Sequence, residues 1–430
     1  MSKLNGVNLI GHINKQFGLG EGARCTVRAL DAVDFPFVLH DFCQGIATDV
    51  QEEKTVQHTF SEENPHPINL IHVNAENFSH LMECKGLPFF NKKYNIGFWA
   101  WELENFPVHF QNYIDMLDEI WVPSNFCLNA ISQVSSKPVL RFMHAVEVAP
   151  TDASRKTLNL PEDKLIFLVM FDYHSSVQRK NPYAAIEAFE QAFGKNNSEV
   201  CLVVKSSASA HFPTESAALK QRIADNSSIM LVDEILPRKK LEALMASCDV
   251  YVSLHRSEGF GLTMAEAMSL GKPVIATAYS ANTEFMTAEN SFLIPYTMIP
   301  AADDYEIPGL ENSWADADIS AAAAAMLLLK KDPDLRAEVG EKAKLHVQTA
   351  LAPLTIGERI KSRLDYIYSK VLPILTNNNQ QIISNLKYKN EVLTKKNSAL
   401  KKIDVVRLKL AFKNFKNRLS GKNRKYIWED

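Results

Sequence analysis

The chain has 430 residues, 46% of them apolar and 23% charged, with a formal net charge of −3. That length predicts two domains plus an appendage, and that balance excludes wholesale disorder and a fibrous repeat. No stretch reaches the ~18 uninterrupted apolar residues of a membrane span. The opening MSKLNGVNLIGHINKQFG lacks an apolar core followed by a small-residue cleavage site, so no secretion signal is expected. Six scattered cysteines without a CxxC predict reduced thiols and a cytoplasmic location. Charge is uneven: residues 376–430 carry 14 Lys and Arg against 4 Asp and Glu, or +10, which leaves −13 on residues 1–375.

In chain order, near-continuous apolar runs predict strands at 6–13, 68–74, 94–101, 119–122 and 138–142, then at 164–171, 199–205, 228–232, 249–254 and 273–277. Such runs suit strands covered on both faces. Helical patterns lie between them. In PYAAIEAFEQAF (182–193), Asn181 is a candidate N-cap, Pro182 takes the first helical position, and Ile186, Phe189 and Phe193 share a face. This alternation predicts α/β architecture, two doubly wound Rossmann-like domains facing each other across a cleft. The polar stretch 148–164 breaks the pattern. It separates a first domain, residues 1–150, from a second at 160–350. Residues 351–375 are expected to return as a helix to the first domain.

A basic helical tail follows at 376–430. Leu386, Leu393 and Leu400 repeat every seven residues, a marginal coiled coil. Val405, Leu408, Phe412, Phe415 and Leu419 then line one helix face, with ten basic residues between Lys401 and Lys425 and only Asp404 opposing them. That pattern suits an anionic membrane surface, with packing on the acidic body or a homodimer as alternatives.

EGFGLTMAE (258–266) follows a strand and predicts a turn on Gly259 and Gly261 with a helix from about Leu262. Amides at a helix N-terminus favour phosphate, and glycines admit close approach. Glu258 and Glu266 then face one cleft, suited to the hydroxyls at two ends of a sugar nucleotide. Thr263 and Glu266 also read as a capping box. FDYHSSVQRKNP (171–182) places Arg179 and Lys180 where cations meet a developing diphosphate charge. Trp99, Trp101 and Glu102 in WAWELENFP (99–107) suit sugar stacking or, alternatively, a core Trp pair. His72 and Asn74 end the neighbouring strand. Asp316 and Asp318 form a D-x-D string, but it precedes ISAAAAAMLLL, so Asp318 reads as an N-cap and no metal cluster is expected.

These segments, with FGLGEGAR (17–24), DEIWVPSNF (118–126) and YSANTEFM (279–286), resemble glycosyltransferase family 4, retaining enzymes of the GT-B fold, and within it a bacterial surface-polysaccharide subgroup. The likeness covers about residues 5–370. It implies a nucleotide-diphosphate sugar donor, GDP- or UDP-linked, and no metal cofactor. Transfer of a hexose, best guessed as mannose, to a glycan or lipid-linked acceptor of lipopolysaccharide or capsule follows from it, with no nucleic-acid partner. By the match, Glu258 holds the donor sugar and Glu266 the ribose, while amides at Phe260, Gly261, Leu262 and Thr263 hold the diphosphate. Gly18 and Gly20 approach it from the other lobe. The family's usual Arg falls here on His174, so Arg179 or Lys205 would compensate beside Lys180. A His that many members carry near the 94–101 strand end is absent, and Glu102 is the nearest ionisable group. Another sugar-nucleotide or sugar-phosphate enzyme, or a catalytically silent glycan-binding subunit, is the alternative.

Overall fold

The structure is a computed structural model describing residues 5–44, 56, 58, 60–149, 154–301, 311–376 and 385–396. Two parallel six-stranded sheets form its body. The first holds β1 (Val7–Gly11), β2 (Phe37–Asp41), β3 (Ile68–His72), β4 (Tyr94–Phe98), β5 (Glu119–Val122) and β6 (Val139–Arg141), in the order β2-β1-β3-β4-β5-β6. The second holds β7 (Leu165–Met170), β8 (Val200–Ser206), β9 (Ile229–Asp233), β10 (Val250–Ser253), β11 (Val274–Thr277) and β12 (Phe292–Ile294), in the order β12-β11-β10-β7-β8-β9. A short antiparallel ribbon, β13 (Tyr296–Pro300) and β14 (Ser313–Ala317), flanks it. Helices cover both sheets, and this is the GT-B arrangement of two Rossmann-like lobes.

Each predicted strand overlaps an observed one, and the central strands are buried as two-sided burial requires: VNLIG, INLIH and YNIGF are enclosed throughout. Asn181 caps the helix Pro182–Phe193 by accepting from Ala184 N, and Ala185, Ile186 and Phe189 turn inward. Asp318 Oδ1 accepts from Ala321 N, an N-cap as its position suggested, while Asp316 pairs with Arg256 at 2.9 Å. Trp99 and Trp101 belong to the core, not to a stacking surface. Trp99 Nε1 donates to Val73 O, Trp101 Nε1 donates to Asn105 O, and both pack on Phe106.

Both sheets belong to one compact unit, residues 1–363; a second unit comprises 364–430. Within the first, the helix beginning at Pro353 lies against the lobe of β1–β6. Gly357 fits where a Cβ would strike Ala29 O, and Arg363 pairs with the buried Glu119, which also accepts from Trp121 Nε1 and Tyr94 OH. In the second unit, 364–376 and 385–396 are helical, and Leu386 and Leu393 are exposed. Leu400 and the basic amphipathic stretch 401–425 lie outside the described residues. No helix among the described residues is long and apolar enough to cross a membrane.

Strand order decides where a ligand fits. In a doubly wound sheet the crevice opens beyond the carboxyl ends of the strands, at the point where the winding reverses. That point is β1/β3 in the first sheet and β7/β10 in the second. The carboxyl ends of those four strands, with the loops and helix starts that follow them, carry Phe17–Gly22, which opens the helix Gly18–Asp31 instead of forming the expected glycine loop, and His72–Asn74, Phe171–Asn181 and Leu254–Gly261.

Candidate active site

A cavity of about 370 Å³ lies between the lobes at these four loops. Its wall includes every predicted site residue except Gly20: Gly18, Glu102, His174, Arg179, Lys180, Lys205, Glu258, Gly259, Phe260, Gly261, Leu262, Thr263 and Glu266. Gly20 has a packing reason instead, because a Cβ there would run into the carbonyl of Lys15.

The loop after β10 is shaped by its two glycines in different ways. Gly261 has φ +93°, the left-handed region where a side chain is strained, and it directly precedes the helix Leu262–Ser269. Gly259 instead permits close approach: a Cβ would stand 3.2 Å from Trp101 O in the opposite lobe, whose Ser124 Oγ donates to Gly259 O at 2.8 Å. The helix has Gly261 as N-cap and no side-chain cap, so the expected Thr263–Glu266 capping box is not formed. Its first amides are left for a ligand.

Glu258 meets the cations predicted for the diphosphate. Lys180 Nζ bonds Glu258 Oε1, and Arg179 Nη1 lies 3.5 Å from the same oxygen. Arg179 also donates to Ser257 O at 2.9 Å and stands 3.8 Å from Glu102. Burial would raise the Glu258 carboxyl, but Lys180 and then Arg179 overcome it and hold it at about 2. Lys180 is pushed down, first by burial and then by Arg179, against the pull of Glu258. Both cations thus converge on the Glu258 carboxylate, with Glu102 farther off beside Arg179, and all four side chains line the cavity.

Glu266 lies one turn into its helix and pairs with Arg238 at 2.6 Å. Burial and the nearby Glu21 raise its carboxyl despite Arg238. Glu21 belongs to the first lobe, where Arg24 and Arg28 bind it at 2.8 and 2.6 Å. Lys205, at the end of β8, is 6% exposed and lines the cavity; burial lowers its ammonium while Asp172, Asp233 and Glu234 oppose the shift. His174 is exposed and rests on Phe212. Asn74 does not reach the cavity. It clamps the loop after β4 through both polar atoms of Ala100, while His72 does line the wall.

Sequence reasoning missed Arg238 and His144. Arg238 begins a helix after β9 with no motif around it, and His144 follows the short β6 in an irregular segment. Among the described residues no group of three metal-ligating side chains is found.

These lobes, their strand orders and the cleft between them define a GT-B protein. Residues 150–346, which hold Arg179, Lys180, Glu258 and Glu266, match the family model described as Glycosyl transferases group 1. A trehalose synthase from Pyrococcus horikoshii is 30% identical over 111 residues, which is 26% of this chain and 21% of that protein, so the chain spans about a fifth of this relative. Among solved structures, HepE from Anabaena, crystallised with UDP and glucose, superposes with a TM-score of 0.58 at 13% identity, covering 84% of this chain and 99% of its own. Sucrose-phosphate synthase from Thermosynechococcus elongatus gives 0.60 at 16% identity, with 85% and 99% covered. A glycosyltransferase from Rickettsia africae gives 0.59 at 14% identity, with 86% and 100% covered. These structural likenesses are likenesses of fold.

Proposed function

We propose that the protein is a retaining glycosyltransferase that moves a hexose from a nucleotide-diphosphate sugar to a glycan acceptor. One observation carries the reading: an anion-binding cluster, Arg179–Lys180–Glu258, faces open helix amides at Leu262–Thr263 across a cavity at the crevice of both sheets. In this reading the acceptor oxygen bonds to the sugar C1 as the bond from C1 to the diphosphate oxygen breaks, and the acceptor's proton passes to the diphosphate. Arg179 and Lys180 stabilise the departing charge, with Lys205 reaching the same ligand. Glu258 holds sugar hydroxyls and Glu266 the ribose. The match of residues 150–346 and the likeness of fold to HepE, crystallised with UDP and glucose, support the donor class.

Within that reading the hexose is mannose from a GDP donor, and the acceptor is a lipid-linked bacterial surface polysaccharide. The +10 tail brings the cleft to an anionic inner-membrane face. Nucleotide release from a panel of nucleotide sugars, with and without acceptor glycan, tests the activity. A stable glycoside with retained anomeric configuration is expected, and release that never depends on an acceptor would overturn it. For the tail, deletion of 386–430 is expected to free the protein from anionic vesicles, and unchanged pelleting would reject membrane docking.

A further inference from the structure

Two histidines stand on the first lobe's side of the cavity. His72 ends β3, at the reversal point of that sheet, and His144 follows β6. Phe98, the last residue of β4, is sandwiched between them, with ring centroids 4.3 Å from His72 at 16° and 5.3 Å from His144 at 18°. His144 also meets Phe260 edge-on at 4.9 Å, and a Cβ on Gly22 would stand 2.9 Å from its ring. The rings are therefore fixed by packing.

Both line the cavity, yet they are only 4% and 7% exposed. His72 Nε2 and His144 Nδ1 are enclosed with no partner, and the other nitrogen of each ring makes no hydrogen bond to a described residue. Phenylalanine would fill either place without the penalty of burying a polar ring. His12 and His40 are buried with bare nitrogens too, but neither lines the cavity; what sets His72 and His144 apart is that their rings do. Burial holds each ring neutral, His144 at about 4 and His72 well below its ordinary value. A neutral imidazole donates at one nitrogen and accepts at the other, which complements a hydroxyl group, itself donor and acceptor, better than an anion.

We propose that His72 and His144 form a hydroxyl-reading shelf that orients a sugar ring against the first lobe, opposite Glu258. This rests on the glycosyltransferase reading above. The sugar is either the hexose being transferred or the acceptor residue that receives it, and the test separates the two.

His72→Phe and His144→Phe keep the three-ring stack and remove the nitrogens. Each is to be assayed for donor hydrolysis without acceptor and for transfer with it, using natural sugars and single-deoxy analogues. The expected result is a melting temperature near wild type with kcat/KM down about 10- to 100-fold, a loss that disappears with the one deoxy sugar lacking the matched hydroxyl. A loss already present in hydrolysis assigns the shelf to the donor hexose, and a loss confined to transfer, with a raised acceptor KM, assigns it to the acceptor. Independently of the variants, the imidazole 15N resonances of His72 and His144 in the wild-type chain should shift on adding donor or acceptor. Unmoved resonances in a protein that turns over, or Phe variants with wild-type kcat/KM, would overturn the shelf. A wild-type chain that processes no nucleotide sugar would instead reject the transferase reading.

Discussion

Glu258 serves two cations, and that asymmetry separates two substitutions usually treated alike. Lys180→Ala leaves a carboxylate with one guanidinium 3.5 Å away, a balanced pair. Glu258→Ala takes the acid from Lys180 and leaves it beside Arg179, 3% exposed, which keeps Glu102 at 3.8 Å. A buried charge stripped of its partner costs roughly 3 kcal/mol. Both variants are expected to lose transfer by at least about 100-fold, the usual effect of removing a stabiliser of developing charge. Only Glu258→Ala should also melt several degrees lower, and that gap should narrow at high salt, where an anion can occupy the cluster. Equal melting of the two variants would show that the acid does not offset both cations. The sequence brings both residue types to one cleft but assigns them to different parts of a ligand. Their direct contact depends on two loops, 78 residues apart in the chain, converging at the β7/β10 reversal point, which no local pattern encodes.

At the scale of elements, the helix Gly18–Asp31 of the first lobe and the helix Leu262–Ser269 of the second present Glu21 and Glu266 to one Arg238 between them. Arg238 bonds Glu266 directly, also holds Glu242 at 2.8 Å, and together with Arg28 and Arg24 pulls the buried Glu21 far below the ordinary carboxylate range. With Arg238→Leu, burial and Glu21 would drive the Glu266 carboxyl further up, so it would hold its proton to a higher pH than in the wild type and lose its best acceptor form there. Donor KM is expected to rise about 10-fold at pH 7 and to recover partly as pH rises, more steeply than in the wild type; a variant whose KM has the wild-type pH dependence would show that Glu266 does not touch the donor. Ten strands were legible as apolar runs; two-sided burial demands such runs of the central ones, while the edge strands β6 and β9 are only partly covered. β2, FVLHD, carries two polar residues in five, and β12 is only three residues long, so neither stands out. β13 is largely exposed, β14 (SWADA) is a short mixed run with a buried Trp314, and the two depend on each other for pairing. The Trp99 and Trp101 pattern fitted stacking or core equally well, and only tertiary packing on Phe106 decided between them.

For the molecule as a whole, the first lobe encloses four histidines in neutral form: His12, His40, His72 and His144 are each at most 7% exposed. Burial lowers every one of them. In His40 it is joined by Lys85 and Lys93 against Glu62, bringing the ring to about 4, and His12 also lies at about 4. A group whose folded pKa lies below its unfolded value binds fewer protons folded than unfolded. Its contribution is therefore intact above the unfolded value of 6.5 and is withdrawn as pH falls from there toward 4. Stability of the body should thus peak above pH 6.5 and decline well before ordinary carboxylates titrate. His40 is the clean probe, because it does not line the cavity, its ring nitrogens have no partner, and it already packs edge-on against Phe89 at 5.7 Å. His40→Phe keeps that packing and removes the titration. At pH 7.5 the variant is expected to match wild type closely, and at pH 5 to exceed it by about 2 kcal/mol, the linkage value for a shift from 6.5 to about 4. Denaturant unfolding at the two pH values reads the difference directly. A variant that tracks wild type at both would mean that His40 titrates alike folded and unfolded, and that the acid sensitivity of this lobe has another source.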